Sequence, residues 1–87
     1  MNEFQVVSKI LNICKEEVAF NRNINFVKID LIGFFPYYFG VDACDEYECK
    51  KRFTLLVNVL NNNPADNLGF NIHLAYVSRY ILNIILK

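Results

Sequence analysis

Apolar residues recur every three or four positions over the first 20 residues, and this spacing predicts an amphipathic helix. Asn2 precedes the stripe and can cap the helix, because its side-chain oxygen accepts a hydrogen bond from an otherwise unpaired backbone N–H. The pattern fades near Phe20, where we expect the helix to end. The stripe consists of Phe4, Val7, Ile10, Leu11, Cys14 and Val18.

A second helix is predicted from Asp42 to the asparagine run before Pro64. Asp42 is a good N-cap, and acidic residues in the first turn interact favourably with the helix dipole. The basic triplet at 50–52 is interpreted as a solvated face. Two i,i+4 acid–base pairs support the helix: Glu46–Lys50 and Glu48–Arg52. Its apolar face is supplied by Tyr47, Cys49, Phe53, Leu56, Val57 and Leu60.

A third helix is predicted from Asn71 toward Leu86, with an apolar stripe that covers most of its circumference. A helix this apolar in a small protein is either the centre of the core or half of an interface. A homodimer through this C-terminal helix is therefore one expectation. The stripe consists of Leu74, Val77, Ile81, Ile84 and Ile85.

Residues 22–41 allow two interpretations. Alternation over 24–31 favours a strand, whereas Pro36, within the aromatic run 34–39, disfavours a central strand or a helix interior. We favour an apolar loop, and hence a mostly α fold: a small three- to four-helix bundle. The alternative is an α+β fold, in which a hairpin at 24–41 packs on three helices.

Composition restricts the classes of function. The 87 residues allow one domain, 1–87; 54% are hydrophobic, and nine basic residues balance nine acidic ones. This balance argues against disorder and against nucleic-acid binding through bulk charge. No apolar stretch reaches the length that spans a bilayer, so we expect no membrane partner. Three cysteines and no cleavable apolar segment near Met1 favour reduced thiols and a cytoplasmic location.

No arrangement typical of catalysis or metal binding is found. Cys44 and Cys49 would lie about 140° apart around a helix, so they cannot share a metal from one face. His73 has no ligand partner four residues later and no orienting group for nucleophilic catalysis. We therefore expect no enzyme activity, no cofactor and no metal.

The segment 35–49 resembles the acyl carrier protein signature, which reads Phe, three residues, Leu-Gly, one residue, Asp-Ser-Leu-Asp, two residues, Glu-Leu. Apolar residues replace its leucines, and 73–81 is similar to the closing helix of that family. The resemblance implies a four-helix, acyl-carrier-like architecture. The matching positions are Phe35, Gly40, Asp42, Asp45 and Glu48.

One departure changes what the resemblance implies about function. Ala43 occupies the position of the serine to which the family attaches phosphopantetheine, and alanine has no hydroxyl. The expectation is therefore a degenerate, non-catalytic module without a prosthetic group, which acts by docking an unidentified protein partner. Its docking face would be the start of the second helix: Asp42, Asp45, Glu46, Tyr47 and Glu48.

A phage or mobile-element inhibitor of the anti-CRISPR type is the alternative function. Such an inhibitor would bind a host protein complex stoichiometrically, and a small, neutral, aromatic-rich chain without a catalytic motif is typical of this class. Tyrosine and phenylalanine concentrate binding energy at interfaces. In this interpretation the aromatic segment 34–39 is the contact surface, with Tyr37 and Tyr38 as its candidate contact residues.

Overall fold

The computed structural model describes residues 2–39, 46–62, 72–78 and 80–86. In chain order the elements are α1 (Glu3–Phe20), β1 (Phe26–Asp30), α2 (Leu31–Phe34), α3 (Pro36–Phe39), α4 (Glu46–Asn61), β2 (Ile72–Ser78) and β3 (Ile81–Leu86). Helices α2 and α3 are single turns, so the described helical structure is mainly α1 and α4.

Helix α1 forms as its sequence predicts. Asn2 and Gln5 cap it reciprocally: the Gln5 N–H donates to the Asn2 side chain at 3.0 Å, and the Asn2 N–H donates to the Gln5 side chain at 2.9 Å. This capping box satisfies two backbone donors that a helix start leaves unpaired. The buried face comprises Val6, Val7, Ile10 and Cys14.

Helix α4 is also confirmed, from Glu46 to Asn61. Its predicted cap, Asp42, lies outside the described residues. The predicted pair Glu48–Arg52 is present, with 3.9 Å between the Arg52 Nε and the Glu48 Oε2. Leu56 and Leu60 bury the inner side of α4 against the core, whereas Tyr47, Lys50, Lys51 and Leu55 remain exposed.

The predicted helix over 71–86 is wrong, because β2 and β3 form an antiparallel hairpin there. Leu82, Ile84 and Leu86 are buried while the residues between them are half-buried, which is the two-residue period of a strand. Alternating burial and β-branched side chains favour a strand over a helix. The closing helix that the acyl-carrier resemblance implies over 73–81 is therefore also wrong.

Strand β1 forms where the alternation of apolar and polar residues favoured a strand, and its alternate residues Val27 and Ile29 are buried. The favoured apolar loop is wrong here, and so is the partner strand of the alternative hairpin within 24–41, since α2 and α3 follow β1 instead. The Asp30 side chain ends the strand by accepting hydrogen bonds from the N–H groups of Ile32, at 3.1 Å, and Gly33, at 3.2 Å. This N-cap starts α2 directly after the strand.

The three strands form one antiparallel sheet in the order β1-β3-β2. Strand β1 pairs with β3 in a register that runs from Phe26 opposite Ile85 to Asp30 opposite Ile81. The C-terminal strand is therefore the central one, so a helical dimer face is wrong for the described residues 72–78 and 80–86, whereas the homodimer itself stays a prediction. Ile84, part of the apolar stripe of the predicted helix, is fully buried within the chain.

The fold is thus mostly helical with a small sheet, which confirms the α+β alternative. The hairpin is formed by β2 and β3, however, and not by residues 24–41. One hydrophobic cluster joins residues of α1, β1, α2, α3, α4 and β3. No helix in the described parts of the chain is long and apolar enough to cross a membrane. For function, the important consequence is that the single turn α3 packs against α4 at the edge of this cluster.

Candidate docking surface on helices α3 and α4

The predicted contact residues do not share one environment. Tyr37 is 91% exposed and Tyr47 is 74% exposed, whereas Tyr38 is only 5% exposed and belongs to the core. Glu46 is exposed and Glu48 is half-buried beside Arg52. Asp42, Ala43 and Asp45 lie outside the described residues.

The contrast between Tyr37 and Tyr38 follows from the geometry of α3. Successive residues of a helix point about 100° apart, so a single turn seated on the core buries one tyrosine and exposes its neighbour. The Tyr38 ring contacts the Phe39 ring edge to face, with 5.0 Å between the centroids. Such T-shaped pairs are the preferred geometry of aromatic contacts in a core. Tyr38 is therefore not available to a partner, and Tyr37 is.

Arg52 of α4 holds the Tyr38 backbone and ring. One of its terminal nitrogens donates to the Tyr38 carbonyl, and its guanidinium carbon lies 5.8 Å from the centroid of the Tyr38 ring. The Tyr38 hydroxyl in turn donates to the Arg52 carbonyl at 3.4 Å. A cation over an aromatic face is attracted by the ring quadrupole. Together these contacts fix α3 against α4.

A second contact between α3 and α4 is made by Cys49, one helical turn before Arg52 in α4. The Cys49 thiol, which is buried, donates to the Phe39 carbonyl at 3.2 Å. The two residues that follow the exposed Tyr37 in α3, Tyr38 and Phe39, both accept a backbone hydrogen bond from α4. A side chain on a rigid scaffold loses less freedom on binding than one on a mobile loop.

Electrostatics at this junction favour the protonated phenol. Burial raises the pKa of Tyr38, and the nearby Glu3 carboxylate raises it further, while the Arg52 guanidinium acts in the opposite direction. The phenol therefore stays a neutral donor to the Arg52 carbonyl at neutral pH. Its role in the described structure is to position α3.

Two shallow grooves run along the outer side of α4. The first has a volume of about 290 Å³ and is lined by Tyr47, Lys50, Lys51, Thr54 and Leu55. The second has a volume of about 390 Å³, and its lining includes Tyr37, Arg52 and two carboxylates, those of Glu3 and Glu48. Lys51 and Leu55 line both grooves. Because they are one helical turn apart, they form the ridge between the grooves.

We call the exposed residues around this ridge the α3–α4 surface, and define it as Tyr37, Tyr47, Lys50, Lys51 and Leu55. It offers two phenol rings, two ammonium groups and one aliphatic side chain. These groups form apolar contacts, hydrogen bonds and ion pairs.

Sequence reasoning missed Leu55, Lys50 and Lys51. Leu55 was left out of the apolar face of α4, and its 41% exposure shows why it does not belong there. An apolar residue on the polar side of an amphipathic helix was the signal that could have found it. The two lysines were interpreted as a solvated face matched by Glu46 and Glu48, and both are exposed in the structure.

Comparisons with protein-family models, with curated proteins and with solved structures find no match to this chain. The interpretation of function therefore depends on the geometry of the α3–α4 surface.

Proposed function

We propose that this chain is a non-catalytic protein-binding module, and that its partner docks on the α3–α4 surface. The observation that carries the proposal is the exposure of two tyrosines that line adjacent grooves, Tyr37 at 91% and Tyr47 at 74%. Leu55 lies between them on the ridge shared by both grooves. Exposed aromatic residues gathered around a groove are typical of interaction sites.

The chemistry of these residues supports the same proposal. Tyrosine contributes a large apolar area and a hydroxyl at low entropic cost, which is why it is enriched among residues that dominate binding energy. The contacts of Arg52 and Cys49 with the backbone of α3 hold Tyr37 in place before a partner arrives. Preorganisation of this kind lowers the entropy lost on association.

The centre of the proposed surface differs from the acidic face expected at the start of the second helix. Glu48 already pairs with Arg52, with 3.9 Å between the charged atoms, so part of its charge is used within the chain. Tyr47 remains in the proposal, and Leu55 and the two lysines replace the acids as its main contact groups. An acyl-carrier architecture is not proposed, because the segment 72–86 is a hairpin.

A stoichiometric inhibitor of a host protein complex is the second candidate function. The exposure of two rings of the aromatic segment 34–39 supports it: Phe34 is 58% exposed and Tyr37 is 91% exposed. An inhibitor would use the same surface, so the two candidates differ in the identity of the partner. Loss of the activity of the captured complex at a one-to-one ratio would favour the inhibitor.

Site-specific photo-crosslinking tests the docking surface. A benzophenone amino acid replaces Tyr37, Tyr47 or, as control, Phe20, which is 92% exposed. Phe20 ends α1, about 25 Å along the helix from Glu3 at the second groove. We expect the same protein adduct from positions 37 and 47 and none from position 20. Adducts from position 20 alone, or equally from all three, would contradict the proposal.

The captured partner then allows a quantitative test. Tyr37→Ala combined with Tyr47→Ala should weaken binding at least about tenfold, because each change removes a contact of the kind that dominates interfaces. Phe20→Ala is the matched control, since it removes an equally exposed ring elsewhere. Circular dichroism should show the same thermal unfolding for both variants. Unchanged affinity of the double variant would overturn the proposal.

A further inference from the structure

We infer that the first groove of the α3–α4 surface binds an acidic segment of the partner, a short stretch of chain in which carboxylates flank an apolar side chain. This inference rests on the proposed docking function and adds to it the chemistry of the partner. It starts from the charge of the first groove, the one lined by Tyr47, Lys50, Lys51, Thr54 and Leu55.

The described lining of the first groove holds two ammonium groups and no carboxylate. Each lysine has Tyr47 one helical turn before it, and each has a groove residue one turn after it, Thr54 or Leu55. The two ammonium groups thus lie between the Tyr47 ring and the Leu55 side chain. This positive charge is local to the first groove, because the carboxylates of Glu3 and Glu48 line the second one and the whole chain has a formal net charge of zero.

The nearby arginine does not supply the charge on which we base the inference. Arg52 is held by the Tyr38 carbonyl and ring and pairs with Glu48. Lys50 and Lys51 are exposed and extend from the outer side of α4, and the exposed Glu46 lies one helical turn before Lys50. A flexible ammonium group can meet a carboxylate from several directions. Complementary charge at such a surface speeds encounter and selects partners.

The length of the groove limits the size of the bound segment. From Tyr47 to Leu55 the helix rises about 12 Å, which matches about four residues of extended chain. The groove has a volume of about 290 Å³, and Tyr47 and Leu55 at its two ends offer apolar contact to one side chain of the segment. The Thr54 hydroxyl donates to the Lys50 carbonyl at 3.0 Å, so it is satisfied within the helix.

A nucleic acid is the less favoured ligand of the same surface. Binding to phosphates normally neutralises several charges at once and draws on a basic excess. Here only two lysines are gathered at the groove, on a chain in which nine basic and nine acidic residues balance. A peptide needs fewer charges, and it can also use Tyr47 and Leu55 for apolar contact.

Nuclear magnetic resonance titration tests the inference without the natural partner. The full chain, labelled with nitrogen-15, is titrated with acetyl-Glu-Leu-Glu-Phe-Glu-amide and with matched peptides that carry glutamine or lysine in place of glutamate. We expect the acidic peptide to shift the amide signals of residues 47–55 at least threefold more than the glutamine peptide does. The lysine peptide should shift them least, and added salt should reduce the effect of the acidic one.

Charge reversal provides the matched control. Lys50→Glu combined with Lys51→Glu should abolish the response to the acidic peptide and create one to the lysine peptide. Lys9→Glu combined with Lys15→Glu reverses two exposed lysines of α1 and should leave both responses unchanged. A response of the α1 variant equal to that of the α4 variant would contradict the inference.

Other outcomes overturn the inference in distinct ways. Equal responses to the acidic and glutamine peptides would refute the acidic partner, whereas the photo-crosslinks at Tyr37 and Tyr47 would decide separately whether the surface docks a protein. Larger shifts of residues 47–55 with an eight-nucleotide oligouridylate would assign the surface to nucleic acid. Shifts of the same residues on simple dilution of the free protein would assign it to a second copy of the chain.

Discussion

The guanidinium of Arg52 lies over the ring of Tyr38, with 5.8 Å between its central carbon and the ring centroid, and it also donates to the Tyr38 carbonyl. The Tyr38 hydroxyl returns a hydrogen bond to the Arg52 carbonyl at 3.4 Å. One residue pair thus fixes a single helical turn, α3, on a long helix, α4. The position of the exposed Tyr37 depends on this pair, because Tyr37 precedes Tyr38 in the same turn.

Arg52→Ala should therefore lower the free energy of unfolding by about 1–3 kcal/mol, since it removes a charge-assisted hydrogen bond and a cation–π contact together. Urea unfolding followed by circular dichroism measures the change. Lys51→Ala, at the exposed neighbouring position, should change stability by less than about 0.5 kcal/mol. Equal effects of the two variants would show that the Tyr38 contacts contribute nothing.

The environments of Tyr37 and Tyr38 could not be predicted from the sequence. Two adjacent tyrosines give no local signal of which one is buried, and the deciding contact joins residues 14 positions apart. The exposure of Tyr47 could be anticipated only in part. The helical spacing of apolar residues correctly predicted a helix at Tyr47, but it also placed Tyr47 on the apolar face. The 74% exposure of its side chain shows that it lies on the solvent side.

Two adjacent leucines of α4 provide a test of its orientation. Leu56 is fully buried and Leu55 is 41% exposed. Leu56→Ala should destabilise the protein by about 2–5 kcal/mol, because it removes buried methyl groups and leaves a cavity. Leu55→Ala should cost less than about 1 kcal/mol.

The two leucine variants are compared by urea unfolding of the purified proteins. If Leu56→Ala does not fold, Leu56→Met keeps most of the volume and should cost less than about 1.5 kcal/mol. A larger loss for Leu55→Ala than for Leu56→Ala would mean that α4 is rotated relative to the structure. The α3–α4 surface would then not face solvent.

A pH dependence is expected from Cys14, which is fully buried in α1. Burial, with a smaller effect of the Glu17 carboxylate, raises the pKa of this thiol from 9.0 to about 11. Between these two values the unfolded chain has lost the proton and the folded chain retains it. The folded state then binds more protons, so the free energy of unfolding falls as the pH rises.

The size of this effect is on the order of 2 kcal/mol between pH 8 and pH 11. Urea unfolding of the wild type and of Cys14→Ala at several pH values isolates it, because other titrating groups are common to both. The variant should be less stable at pH 8, since a buried sulfur is lost, but it should show a shallower decline above pH 9. Parallel curves would contradict the assigned cause.

The sequence was informative wherever a long period or a cap fixed the local structure. Helices α1 and α4 have wide apolar stripes, and Asn2 and Gln5 form the capping box that their spacing allows. Strand β1 was visible as alternation, but its partner is β3, more than 50 residues later in the chain. Pairing between distant segments leaves little local trace, so the sequence favoured a loop over 22–41 with a hairpin at 24–41 as the alternative, whereas the structure has β1, α2 and α3 there.

The segment 71–86 shows how two periods can coexist in one sequence. Its many apolar residues fit a helical stripe that includes both Ile84 and Ile85, and equally fit the alternation of a strand. The structure selects the strand, with Ile84 fully buried and Ile85 half-buried on the opposite face. The β-branched residues were the discriminating signal, since their stiff side chains favour the pleated conformation.

The two isoleucines of β3 therefore provide the decisive test of the corrected fold. Ile84→Ala should cost about 2–5 kcal/mol, because Ile84 is fully buried on the central strand. Ile85→Ala should cost markedly less, since its side chain is on the half-buried face opposite Phe26 in the register. A helix would bury both positions of the predicted stripe, so comparable losses in urea unfolding would support the helix and contradict the hairpin.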